Sequence, residues 1–241
     1  MDYGIQMYSV RDITAADLEG ALRQVAELGY KYVEFAGFFG HSAQEVKGWL
    51  DKYGLKVSGT HTGLRELDED FEGTVAYHKA IGNKNIIIPG HDLGDQKKLD
   101  EFIEKVNRYQ PMLAEHGISL GYHNHSHEFI ANPDGSQIED QLIYRTNMDI
   151  EIDTYWFYNA TKLSAVNMME RIKGRLKVIH IKDGTADGEG TPLGMGDAPV
   201  REVYEKAKEM GVLMVVESET LTPDGMTEAK ICIEYLKAQE A

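Results

Sequence analysis

AEHGISLGYHNHSHEF, residues 114–129, holds one full copy of the unit from which the fold is read. The end of an amphipathic helix meets Gly117, and a short apolar strand follows at once. Glycine in that place reads as a left-handed helix C-cap, a conformation that costs it nothing because it has no Cβ. The same order of helix, glycine and strand recurs in ELGYKYVEF at Gly29, DKYGLKVSGT at Gly54, KAIGNKNIIIP at Gly82, RIKGRLKVIH at Gly174 and KEMGVLMVVE at Gly211. In RTNMDIEID, Asn147 stands in the glycine's place, and Asn is the other residue that tolerates that conformation. With GIQMYSV as an opening strand, about eight strands alternate with helices. Strict alternation requires parallel strands with right-handed crossovers, and about eight such units in roughly 250 residues is the size of a closed (β/α)₈ TIM barrel. A doubly wound open sheet is the competitor. The first strand lacks the G-x-G-x-x-G turn of a dinucleotide-binding sheet. No stretch rich in Pro, Gly or Ser divides the chain, so residues 1–241 read as one domain.

Local signals place the helices. Thr14 and Asp17 resemble a capping box with Thr14 as N-cap, which predicts a helix over 15–28; Ser42 and Glu45 mark another start. Leu99, Phe102, Ile103, Val106 and Leu113 make the longest apolar stripe at helical spacing. Composition bounds the rest. The net charge of -15 opposes a nucleic-acid partner, which needs clustered Lys and Arg. No apolar run is long enough to span a membrane, and MDYGIQMYSVRD lacks the layout of a signal peptide. The single cysteine, Cys232, excludes an internal disulfide and reads as packing in the last helix. A cytoplasmic location is the default expectation.

The second half of the opening stretch carries chemistry. His123, Asn124, His125, His127 and Glu128 crowd three imidazoles and a carboxylate into six residues. These are the usual ligands of divalent metals and the usual proton carriers near neutral pH. The alternative is a polar surface loop rich in His. Position favours a site. In such barrels the chemistry gathers at the C-terminal strand ends, and those ends carry Glu34, His61 with Thr62, His91, Asp153, His180 with Lys182, and Glu217 with Glu219. Of nine histidines, only His78 and His116 fall on expected helices. Alternation puts Asp149, Glu151 and Asp153 on one strand face, and does the same for His180 with Lys182 and for Val215, Glu217 and Glu219. For Asp153 and Glu217 the alternative is a salt bridge to a nearby cation. Asp149 and Glu151 read as a buried polar network low in the barrel, and Lys182 with Asp183 could form a surface pair. The oxygen-rich donor set suits Mn²⁺, Mg²⁺, Co²⁺ or Zn²⁺.

The chain resembles the xylose isomerase-like TIM barrels, a family of sugar phosphate isomerases and epimerases related to inosose dehydratases and to the endonuclease IV group. The resemblance rests on GIQMYSVRD at 4–12, YVEFAG at 32–37, GTHTGL at 59–64, IIIPG at 86–90, LGYHNHSHEF at 120–129, EIDTYW at 151–156, VIHIKDG at 178–184, TPLGMG at 191–196 and VVE at 215–217. It implies a divalent metal held by Glu128, Asp153, His180 and Glu217. Relatives often carry Glu on the fifth strand, where this sequence has Gly121, so His123 is the alternative first ligand.

The implied reaction is proton transfer on a sugar or sugar-like hydroxy-ketone through an enediolate, giving isomerisation or epimerisation; loss of a neighbouring hydroxyl would make it a dehydratase. Glu217 or Glu128 would take the proton, with His125 or Lys182 as partner acid. Glu34, His61, Arg11, His123 and Trp156 would hold the substrate, a small sugar or sugar phosphate. The glycine-rich loop 184–196 is a candidate lid. A homodimer is open. The rivals are a metal-dependent nuclease, which the charge opposes, and a carbohydrate-binding barrel without catalysis.

Overall fold

A computed structural model describes residues 1–132 and 134–240. Eight parallel strands close into a barrel: β1 (Gly4–Gln6), β2 (Tyr32–Phe35), β3 (Lys56–His61), β4 (Asn85–Ile88), β5 (Ser119–His123), β6 (Asp149–Asp153), β7 (Val178–Ile181) and β8 (Leu213–Val216), with β8 pairing β1 to shut the ring. Each strand is followed by at least one helix, as the alternation predicts. The principal ones are α1 (Leu18–Leu28), α2 (Ala43–Tyr53), α3 (Phe71–Ala80), α4 (Gln96–Glu115), α5 (Ile138–Arg145), α6 (Thr154–Thr161), α7 (Val200–Met210) and α8 (Gly225–Ala238).

The strand faces divide the labour. Phe35, Ile150, Ile152, Ile179, Ile181, Met214 and Val216 point outward into an apolar shell shared with helix residues such as Leu22, Val46, Met169, Tyr204 and Ile233. Burial of each such side chain contributes about 1.5–3 kcal/mol. That shell is what allows the alternate residues, facing the barrel axis, to be polar. Gly29, Gly54, Gly82, Gly117 and Gly211 all have positive φ and cap the helices before the next strand.

Four local expectations are corrected. Helix α1 begins after Asp17, whose side chain accepts the Gly20 N–H, while Thr14 ends a separate turn. Gly174 and Asn147 are not left-handed; the chain leaves α5 through extended Thr146, whose hydroxyl donates to the Leu142 carbonyl. Lys182 and Asp183 are both buried and turn apart. Asp149 is not part of a buried network, since it pairs with Lys177 near the barrel's lower rim.

Candidate active site

The polar residues of the barrel lie in two layers. The upper layer comes from strand ends: His123 from β5, Asp153 from β6, Lys182 just past β7, and Glu217 and Glu219 just past β8. The layer beneath comprises Glu34 on β2, Glu151 on β6 and His180 on β7, with His61 reaching down from the end of β3. Pairing in register brings the two layers into contact: Asp153 lies opposite His180, and His123 opposite Glu151. Gly59 makes the lower layer possible, because a Cβ there would lie 2.7 Å from Ile87 Cδ1 and 2.9 Å from Glu34 Oε2.

Above them opens a cavity of about 350 Å³ lined by Tyr8, Ala36, His61, Pro89, His123, His125, Glu217 and Glu219. A larger groove of about 990 Å³ runs along the outer flank of α7. It reaches the site only at Asp183, whose carboxylate is saturated by the N–H groups of Gly184, Gly194, Gly196 and Ala198. We therefore take the mouth cavity as the site.

His123, Asp153, His180 and Glu217 bring one donor atom each to within 4.8 Å of the others. Asp153 Oδ1 caps α6 through the N–H groups of Tyr155 and Trp156, at 2.9 and 2.8 Å. Its Oδ2 is buried with no hydrogen-bond partner, and so is His180 Nδ1. The nearest polar groups stand off, with Glu217 Oε2 3.4 Å from His180 Nδ1 and the Lys182 ammonium 3.6 Å from Asp153 Oδ2, so both buried atoms are left under-satisfied. These residues fit a divalent cation. Lys182 is the other positive group there, with its ammonium 3.1 Å from Glu217, 2.6 Å from Glu219, 3.6 Å from Asp153 and 4.7 Å above the Trp156 ring.

Charge is crowded. Burial pushes the Asp153 carboxyl up to about 7; Lys182 opposes the rise and Glu217 adds to it. Burial also raises Glu151, with the neighbouring Glu34, to about 8. Burial works against ionised Glu217 too, but Lys182 and His180 hold it well below the usual carboxylate range. Burial likewise resists a charged Glu34, yet His180 and His61 keep it ionised. Against their own burial, carboxylates lift His180 well above its ordinary value, with Glu151 and Glu34 leading, and lift His61 to about 9, with Glu34 first. Burial, with the nearby imidazoles His180 and His61, keeps His123 neutral. Burial lowers His125, and Lys182 lowers it further. Lys182 is raised, despite burial, by Glu217 and Asp153, so it stays an ammonium.

Glu128 is not among the converging donors. It is fully buried and turned into its own loop, where Oε1 accepts from the Tyr122 hydroxyl at 2.8 Å and lies 3.2 Å from His127 Nε2. Its Oε2 accepts the His125 N–H at 2.8 Å. His123 is the strand-five residue that meets Asp153, His180 and Glu217. Glu34 and His61 lie in the lower layer, with His61 also on the cavity wall, and His125 lines the same cavity as Glu217. Trp156 packs beneath Lys182. Arg11 sits at the rim, its guanidinium donating to the carbonyls of Glu219 at 2.6 Å and Tyr8 at 3.1 Å. The loop after Lys182 is tied down by Asp183 and by a two-stranded ribbon of Asp183–Gly184 with Gly190–Thr191. Sequence reasoning undervalued Glu151, although it shares a strand face with Asp153, and gave no role to Gln6, which donates to Glu34 at 2.7 Å.

Fold and site define a TIM barrel whose polar mouth converges on one cavity. The xylose isomerase-like TIM barrel family matches residues 22–239, and the chain belongs to it. A 2-oxo-tetronate isomerase of Haemophilus influenzae is 24% identical over 212 residues, 77% of this chain and 81% of that protein. An inosose dehydratase of Mesomycoplasma hyopneumoniae is 23% identical over 184 residues, 68% of this chain and 61% of that protein. The solved structure of a sugar phosphate isomerase/epimerase from Parabacteroides distasonis matches with a TM-score of 0.84 at 23% identity, covering 98% of this chain and 93% of that one. No described helix is long and apolar enough to cross a membrane.

Proposed function

We propose that the chain is a metal-assisted isomerase or epimerase of an unphosphorylated sugar or sugar-like hydroxy-ketone. The observation that carries this reading is the meeting of His123, Asp153, His180 and Glu217 at the cavity floor, with Asp153 Oδ2 and His180 Nδ1 buried and without a hydrogen bond. A divalent cation held by these four would act as a Lewis acid, polarising a carbonyl and stabilising an enediolate.

The remaining roles belong to the chain itself. Glu217 and Glu219 come to the cavity from the end of β8, and neutral His125 comes to it from the loop after β5. A proton taken from one face of a carbon and returned from the other inverts that carbon; returned to the neighbouring carbon, it isomerises. Glu217 and Asp153 hold the proton on Lys182 despite its burial, so it is assigned as a fixed positive charge toward a developing oxyanion. Tyr8, Ala36 and Pro89 give the cavity an apolar wall for a sugar's carbon face. Among the described residues the lining includes no Lys or Arg side chain, and the ammonium of Lys182 already faces three carboxylates. That favours a neutral substrate over a phosphorylated one.

Likeness to an inosose dehydratase supports a second reading, in which the same abstraction is followed by loss of a neighbouring hydroxyl. One experiment addresses both. A panel of unphosphorylated ketoses and inososes is incubated with the protein and Mn²⁺ in D₂O and followed by NMR. Deuterium entering next to the carbonyl, with the carbon skeleton's hydroxyls retained, supports isomerisation or epimerisation. Exchange with loss of water selects the dehydratase. No exchange with any member, or exchange that persists in Asp153→Asn, refutes the proposal.

A further inference from the structure

We propose that the barrel holds a second cation site, one layer beneath the mouth, formed by His61, His123, Glu151 and His180, and that it suits a zinc-type ion. One donor atom from each of these four lies within 4.8 Å of the others. Glu151 Oε1 is 3.0 Å from His61 Nε2, 3.1 Å from His180 Nε2 and 3.2 Å from His123 Nδ1. With metal–ligand bonds of about 2.0–2.1 Å, the edges of a tetrahedron are about 3.3–3.4 Å. Three contacts of this size from one oxygen are close to three edges meeting at a vertex.

Hydrogen bonding alone explains the cluster less well. A carboxylate oxygen has two lone pairs, and here three ring nitrogens crowd it. Two of those nitrogens also meet Glu34 Oε1, at 3.0 Å from His61 and 2.8 Å from His180. An independent observation points the same way: Glu34 Oε2 and Glu151 Oε2 are buried without any partner. Three nitrogens and one oxygen match zinc better than magnesium or calcium. His61 and His123 line the mouth cavity, which gives an ion its way in.

His123 and His180 belong to both groups. A neutral imidazole has one lone pair, so each can serve only one cation at a time. A zinc ion below therefore removes two ligands from the mouth and excludes a metal there. The competition, unlike the lower site itself, rests on the reading of the mouth as a metal centre.

The test uses the whole chain with Co²⁺, Zn²⁺ and Mn²⁺ added singly and in competition. Co²⁺ should give the intense visible absorption of a tetrahedral site. Glu151→Gln should abolish that band and weaken Zn²⁺ binding by more than the ~10–100-fold that loss of a mere supporting residue costs. Asp153→Asn should keep the band. Zn²⁺ should block Mn²⁺ binding by the wild type, and Glu151→Gln should still bind Mn²⁺. Should Glu151→Gln not fold, His61→Asn reports on the same site. Absence of the band, or a band that survives both substitutions, overturns the lower site. Simultaneous binding of Zn²⁺ and Mn²⁺ overturns the competition. A wild type that takes Co²⁺ with the expected band but never binds Mn²⁺ upholds the lower site and defeats the reading of the mouth.

Discussion

Substitution of Glu128 separates two roles that a carboxylate in this loop can have. In the structure it accepts the Tyr122 hydroxyl and the His125 N–H, both at 2.8 Å, and faces His127 at 3.2 Å. Glu128→Gln can keep its oxygen toward the His125 N–H and turn its NH₂ toward Tyr122, whose hydroxyl can accept as well as donate. The cost is then a charge-assisted bond traded for a neutral one, about 1–2 kcal/mol. Glu128→Ala has no such escape. It leaves a buried N–H and a buried hydroxyl bare and opens a cavity, for about 3–5 kcal/mol. That is a large share of a total stability of about 5–15 kcal/mol, so the comparison is made by urea denaturation at low temperature. Mn²⁺ binding, measured by calorimetry on the folded fraction, should change less than about twofold in Glu128→Gln, because no donor at the mouth has moved. Loss of Mn²⁺ binding with an unchanged urea midpoint would refute this reasoning and make Glu128 a ligand after all.

Three further outcomes follow from buried groups. Asp183→Asn should cost about 2–4 kcal/mol, since the amide NH₂ would face backbone N–H donors now bound by the carboxylate; limited proteolysis should then cut within 184–199, and full resistance would count against the anchoring role. Glu139 is fully buried with both carboxyl oxygens unpartnered, and burial together with Glu128 raises it from an ordinary 4.5 to about 8. The folded protein thus holds a proton that the unfolded chain releases above pH 4.5, so stability falls as pH rises toward 8, by up to about 1.4 kcal/mol per unit; urea midpoints should show Glu139→Gln gaining on the wild type between pH 5 and 8, and a constant difference would contradict it. Gly59→Ala should lose about 1–3 kcal/mol, because its Cβ would press on Ile87 Cδ1 at 2.7 Å and Glu34 Oε2 at 2.9 Å; a thermal midpoint equal to the wild type's would show that the lower layer yields at no cost.

The fold was legible because its signals are local. Five cap glycines and eight apolar strands recur at a spacing that permits few topologies, and register follows once the ring closes. Asp153, His180 and Glu217 were legible for a related reason: each stands at or just past a strand end, and alternation fixes which way it faces. Glu128 shows where this reasoning stops. Past β5 the chain enters a short 3₁₀ turn, period two no longer holds, and only the Tyr122 and His125 contacts decide that its carboxylate folds inward. Asn147 fails similarly, since Thr146 satisfies the helix end first. Glu151 was visible as a position on the correct face but not as a partner, because its contacts come from three other strands.

Strand β5 carries Gly121 and His123 but no carboxylate, and this changes what the mouth should prefer to bind. A side chain at Gly121 would be tight, with a Cβ 3.3 Å from the Asp149 carbonyl and 3.5 Å from Ile87 Cγ1. His123, two residues on, is the strand-five donor instead, and burial keeps it neutral. The donor set then holds two carboxylates and two imidazoles, one negative charge fewer than a set with three carboxylates, and Lys182 subtracts further. A hard cation such as Mg²⁺, which depends on oxygen donors and sheds water reluctantly, loses most by that exchange. Mn²⁺ and Co²⁺, which accept imidazole readily, lose less. At equal concentration Mn²⁺ should therefore raise the thermal midpoint more than Mg²⁺, in line with about 2.7 kcal/mol for an ion at 100 times its Kd. Equal shifts for Mg²⁺ and Mn²⁺ would mean that His123 is not a ligand, and that the negative charge missing from β5 is made up by Glu219, the remaining carboxylate on the cavity wall.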